Sequence, residues 1–228
     1  MIIKRKLLIL LSALGIVFIT TFTFDKTQSF YKDFSLGKRY FAKNEYAQAI
    51  PYLLAAFKID PAHPDILGYL IPAYEKTNNK QELVGLLILA ARKRPEDGGL
   101  LELIGDTYYS LKDHTDAEIF YRQALDRKGG QELERKLIEV LIWQQKYDEG
   151  MSLLKGLIKV RPDDLRLVEL FADANSWSGN YGQAITLYNE LLEKKFRVKA
   201  ISLKIAEALR LSGEDEEAIK FYNIYLGR

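Results

Sequence analysis

Among the side chains that most often carry chemistry, this chain holds two histidines, His63 and His114, 31 acids and no cysteine. The missing thiol excludes disulfides, cysteine-based zinc sites and a thiolate nucleophile. A general base needs a nucleophile and an orienting group within reach, and neither histidine stands in such a pattern. His114 occupies a place that Tyr46, Tyr147 and Tyr181 fill elsewhere in the chain, so it reads as a packing ring. Gly129-Gly130 lacks the following lysine and serine or threonine of a phosphate loop. Acids such as Asp163-Asp164 read as helix caps. No catalytic residue, cofactor or metal site is expected.

The chemistry that remains is recognition. Asp106, Glu139, Asp173 and Glu207 recur at intervals of 33, 34 and 34 residues, with Glu102 and Glu169 beside them. Tyr109, Trp143 and Trp177 recur every 34 residues, and these are the two tryptophans of the chain. Carboxylates and ring faces in register suit a cationic ligand. Nucleic acid is not expected. The net charge is +2, and Lys4, Arg5 and Lys6 alone supply three positive charges, which leaves no clustered basic surface for phosphates.

The elements that must position these residues follow one ruler. Ala49, Ala117, Ala184 and Ala218 are separated by 68, 67 and 34 residues, and Leu83 and Gly150 fill the gaps, so the period is 34 with one deletion near Gly129-Gly130. Small residues Gly37, Gly105, Ala172 and Ala206 keep the same step, as do Tyr40, Tyr74 and Tyr108 three residues further on. Tyr121, Tyr188 and Tyr222 precede Ala124, Leu191 and Tyr225 by three, and Pro61, Pro95 and Pro162 close their units. A small residue lets two helices approach, an aromatic fills the space beside it, and proline stops a helix that must turn back. Six helical hairpins are predicted, at 30–63, 64–97, 98–130, 131–164, 165–198 and 199–228. Pro51 is expected in the first turn of its helix, where its missing N–H is tolerated, and Pro72 within a helix that it should bend.

This pattern resembles the tetratricopeptide repeat (TPR), a 34-residue helical hairpin that stacks into a right-handed superhelix. The resemblance runs from Phe30 to Arg228, with Ile71, Leu83, Ile138, Gly150 and Phe196 as departures. It implies an all-α solenoid whose first helices line a concave groove. The groove would then hold Glu102, Asp106, Tyr109, Glu139, Trp143, Glu169, Asp173, Trp177 and Glu207, acidic towards its C-terminal end and tracked by rings. Chaperone-docking members of the family, which bind a terminal carboxylate, want lysines and asparagines at these rungs. Acids suit a basic peptide segment or a polysaccharide carrying amino groups instead. The last helix, roughly from Glu216 to Leu226, carries Ile219, Tyr222, Tyr225 and Leu226 on a face that either docks a partner or marks a longer array.

Before the repeats, residues 7–24 form an uncharged run of 18, roughly 27 Å as a helix and close to the ~30 Å core of a bilayer. Cleavage at Ala13-Leu14-Gly15, the sole small-x-small site, would leave a greasy stub, so an uncleaved single-pass anchor over residues 1–29 is expected. Lys4 to Lys6 place the N-terminus in the cytoplasm and the repeats in the periplasm. The fifth unit, WSGNYGQAITLYNELL, resembles the periplasmic TPR arrays of exopolysaccharide export proteins of the cellulose and Pel type. This layout implies an inner-membrane scaffold for other envelope proteins. The alternative is a TPR chaperone of the translocon or of cytochrome maturation.

Overall fold

At the first turn of each hairpin the backbone does the same thing with different residues. Asn44, Asn78, Lys112, Gln145, Gly179 and Gly213 all take a left-handed conformation, with φ between +56° and +91°, and they are spaced by one repeat. The next residue donates its N–H back to the carbonyl five positions earlier, for example Glu45 to Tyr40 and Asp113 to Tyr108, both at 3.0 Å. This bond closes the first helix and lets the second start at once. Glycine carries the conformation freely at Gly179 and Gly213, whereas Lys112 and Gln145 adopt it against their own Cβ atoms.

The computed structural model describes residues 24–228. Lys4, Arg5 and Lys6, and the apolar run apart from Phe24, lie outside the described residues. No helix among the described residues is long and apolar enough to cross a membrane. Twelve helices pair as six hairpins, and no strand occurs among the described residues. They fall into two compact units, one ending at Glu96 and one running from Asp97 to Arg228.

The first unit contains α1 (24–42), α2 (Tyr46–Ile59), α3 (Ile66–Lys76) and α4 (Lys80–Lys93). Its core combines aliphatic and aromatic side chains, with Leu53, Ala56, Phe57, Ile66, Leu70, Tyr74 and Leu87 buried. Phe30, Phe34 and His63 meet with centroids 5.0 to 5.7 Å apart, and His63 Nδ1 accepts from the Asp65 N–H. Pro51 corrects an expectation. Because α2 starts at Tyr46, Pro51 is its sixth residue, beyond the first turn, where a missing N–H removes a true helical bond. Pro72 lies within α3, as expected.

The second unit contains α5 (Gly98–Ser110), α6 (His114–Lys128), α7 (Gln131–Trp143), α8 (Tyr147–Val160), α9 (Leu165–Trp177), α10 (Tyr181–Glu193), α11 (Val198–Ser212) and α12 (Asp215–Leu226). Each helix packs on the next in sequence. The period-34 positions form the core: Ala117, Ala184, Ala218, Ala124, Leu191, Ala172 and Ala206 are all buried. Asp97, Asp113 and Asp164 cap α5, α6 and α9 through backbone N–H groups of Leu100, Asp116 and Arg166. Where the fifth hairpin has Phe196 in place of proline, a different stop is used. Lys195 turns left-handed and the Phe196 N–H bonds to the Leu191 carbonyl at 2.9 Å.

Candidate functional site

Two features of the second unit could engage a ligand: a charged face built by the first helices, and an aromatic edge at their C-terminal ends. The charged face is built from one device used twice. Asp106 and Glu102 lie one turn apart on α5, and Lys136 of α7 reaches both, at 2.8 Å to each Asp106 oxygen and 2.7 Å to Glu102. Tyr121 of α6 donates its hydroxyl to Asp106 at 2.8 Å. Two repeats later Asp173 and Glu169 on α9 hold Lys204 of α11 at 2.8 and 2.7 Å, and Tyr188 of α10 donates to Asp173 at 2.6 Å. Lys128 also pairs with Glu102, and Arg197 with Glu169 at 2.8 Å. Arg197 takes a left-handed conformation at the start of α11.

These contacts change the ionisation of the groups. Burial alone would raise Glu102, but hydrogen bonds and charge from Lys128 and Lys136 outweigh it and hold the carboxyl below its usual range. Burial would lower Lys136, and its two carboxylates instead raise it. Burial followed by the neighbouring aspartate pushes Tyr121 and Tyr188 far up, so both stay hydroxyl donors.

In the hairpin between the two devices the pattern changes. Arg135 stands where Glu102 and Glu169 stand, and it pairs with Glu139 and Glu132 on its own helix. Burial nevertheless pushes Glu139 above its ordinary value, against the opposing charge of Arg135. Leu170 occupies the lysine position, so no clamp crosses from α7 to α9. A cavity of about 510 Å³ opens there, lined by Arg135, Glu139, Arg161, Arg166, Glu169, Arg197 and neighbouring groups.

The structure thus brings Glu102, Asp106, Glu139, Glu169 and Asp173 onto the first-helix face, but each with a basic partner. The face is charge-balanced, not acidic. These five carboxylates keep two registers of the repeat, Glu102 with Glu169 and Asp106 with Glu139 and Asp173. The lysines that clamp them sit one residue past the Glu102 and Glu169 register on the next first helix, at Lys136 and Lys204, and the other cations lie on neighbouring segments or, for Glu139, on its own helix. Reading the ladder alone therefore missed them. Glu207 differs: it is exposed and has no ion pair among the described residues. A further buried acid, Glu118 on α6, was not anticipated. It accepts from Arg122, Gln144 and Lys146 at 2.6 to 2.9 Å and ties α6 to the turn between α7 and α8.

The aromatic edge is more open. Tyr109 meets His114 edge-on at 5.5 Å, His114 stacks on Trp143 with centroids 6.0 Å apart, and Trp143 lies 6.5 Å from Trp177. His114 therefore extends the ring track, which agrees with its reading as a packing ring. Trp143 and Trp177 are 62% and 55% exposed. With Ile142, Gln145 and Tyr147 they border a slot of about 230 Å³. On α12, Ile219, Tyr225 and Leu226 are exposed, while Tyr222 is half-buried and packs against the core.

Tetratricopeptide-repeat patterns match residues 34–63, 99–130 and 171–228, together just over half of the chain. The chain belongs to the tetratricopeptide-repeat family. No curated protein matches it in sequence. Solved structures share the fold at low identity. A TPR protein from Parabacteroides merdae superposes with a TM-score of 0.68 at 19% identity, over 88% of this chain and 80% of its own. YrrB, described as a TPR protein with an unusual peptide-binding site, scores 0.60 at 11% identity over 77% and 91%. Pseudomonas aeruginosa PilF scores 0.54 at 15% identity over 90% and 95%. The fold is that of an interaction scaffold, and TPR domains bind other proteins or peptides.

Proposed function

We propose that this TPR protein is a non-catalytic scaffold that holds a partner polypeptide against the aromatic edge of its second unit. The observation that carries the reading is the pair Trp143 and Trp177, more than half exposed, one repeat apart and flanking an apolar slot. Large exposed rings that border a slot are the usual anchors of binding energy. Ring faces attract cations, so the expected ligand is a segment with lysine or arginine among apolar residues. An amino-sugar polymer shares that chemistry and is the second arm of the test.

The scaffold is proposed to be tethered by residues 7–24 to the inner membrane, with the repeats in the periplasm. The supports are the uncharged length of that run and the preceding lysine and arginine charges. Within the envelope we favour a place in exopolysaccharide synthesis or export, on the resemblance of the fifth unit, over service as a translocon or cytochrome-maturation chaperone.

The test is cross-linking of the full-length membrane-bound chain, followed by identification of captured partners. Wild type is compared with a variant carrying Trp143→Ala and Trp177→Ala, alongside binding of basic peptides and of cationic polysaccharide. Loss of capture in the variant is expected. An unchanged set of partners at unchanged yield would remove the aromatic edge from the reading.

A further inference from the structure

Part of the device that binds Lys136 and Lys204 recurs in the last hairpin. Counting from Asp106 and Tyr121, and from Asp173 and Tyr188, the same repeat positions in the last hairpin hold Glu207 and Tyr222. In the first two copies the cation comes from the next helix: α7 packs on α6 and supplies Lys136, and α11 packs on α10 and supplies Lys204. Both lysines sit in the same local pattern, Leu133-x-x-Lys136-Leu137 and Ile201-x-x-Lys204-Ile205, whose four aliphatic residues are all buried.

The apolar surface around the third copy repeats as well. Leu191 is 0% exposed under α11, and the residue one period later, Tyr225, is 39% exposed. Ile185 and Leu192 are partly covered, whereas their counterparts Ile219 and Leu226 stand 59% and 56% exposed. A carboxylate, a tyrosine and an apolar bed are thus arranged to receive a helix that presents a lysine between aliphatic residues.

We propose that the α11–α12 face docks an amphipathic helix of a partner protein carrying lysine in the pattern aliphatic-x-x-Lys-aliphatic. Head-to-tail stacking of a second copy through its α1 does not fit, because α1 carries Ser35 at the lysine position and Lys32 at the leading aliphatic one, which would leave Glu207 without a cation. The third copy is weaker in two respects, the first being that no hydrogen bond joins Tyr222 to Glu207 as Tyr121 and Tyr188 are joined to their aspartates. The other is that Leu203 replaces the second carboxylate, so the docked lysine would pair with Glu207 alone. This site is independent of the tryptophan edge, and either can fail without the other.

The experiment uses the full chain in detergent and, as probe, a helix-stapled fluorescent peptide with the α11 sequence from Val198 to Ser212, measured by anisotropy and photo-cross-linking. Saturable binding is expected, with cross-links on α12. Lys204→Met in the peptide should weaken binding about fivefold, the scale of a partly exposed ion pair. Glu207→Gln in the chain should abolish that difference, while Tyr225→Ala with Leu226→Ala should abolish binding of either peptide. Four results would overturn the proposal: absence of saturable binding, equal affinity of the Lys and Met peptides, a lysine preference that survives Glu207→Gln, or cross-links confined to α9 and α10.

Discussion

Replacing the clamp lysines tests whether the two copies of the device stabilise the stack in proportion to their burial. Lys136→Met and Lys204→Met keep the apolar stem and remove the cation. In the first copy the stranded carboxylates are Glu102 and Asp106, with side chains 19% and 38% exposed. In the second they are Glu169 and Asp173, at 8% and 14%. Each set keeps a fallback: Lys128 and the Tyr121 hydroxyl in one, Arg197 and the Tyr188 hydroxyl in the other. An exposed pair contributes about 0.5 kcal/mol, and removing one partner of a buried pair costs about 3–5 kcal/mol. The first copy falls nearer the exposed limit and the second nearer the buried one, so Lys136→Met should cost about 1.5 kcal/mol and Lys204→Met about 3 kcal/mol. A repeat array does not unfold as one unit, which makes native-state hydrogen exchange the suitable assay. Protection should fall roughly tenfold in α7 for the first variant and roughly 100-fold in α11 for the second. Adding Glu169→Gln and Asp173→Asn to Lys204→Met should restore much of the loss, because the penalty is mainly that of carboxylates left dry. Equal losses, the reverse order, or no recovery in the triple variant would refute the argument from burial.

Two further predictions concern packing and pH. A Cβ on Gly105 would lie 2.5 Å from Cδ1 of Tyr121, a ring that Asp106 pins in place, so Gly105→Ala should destabilise the third hairpin by about 2 kcal/mol, read as lost exchange protection in α5 and α6. Burial alone would raise Glu118, but Lys146, Arg122 and Gln144 lower it below 4.5. A depressed carboxyl stabilises fully above its ordinary value and loses that contribution as pH falls through its folded value. Protection of α6 and of the turn at Gln144 to Lys146 should therefore decline as pH drops below 4.5, and Glu118→Gln should flatten the decline. A pH-independent profile in the wild type would contradict this assignment.

The repeats were legible because one set of demands recurs. A buried helix crossing accepts only a small residue, and its neighbour must fill the gap, so Ala117, Ala184 and Ala218 betray the hairpins without any structure. The six left-handed turns were not legible. Asparagine, lysine, glutamine and glycine all serve there, since the Schellman-type bond and the packing of both helices impose the conformation on whatever residue is present. The aromatic track was half legible: Trp143 and Trp177 show their period, but that His114 joins them follows only from its stacking 6.0 Å from Trp143.

By itself the amino-acid sequence determined the hairpin count, the all-helical class and the positions of the carboxylates, because these depend on local propensity and on burial repeated at one interval. Only the tertiary structure decided the charge of the face those carboxylates share. Pairing is a matter of distance between different helices, and Lys136 and Lys204 reach their acids from 30 residues or more away in the chain. Interhelical electrostatics of this kind leaves no periodic trace at the acid positions, which is why a row of acids could be seen in the sequence and its neutralisation could not.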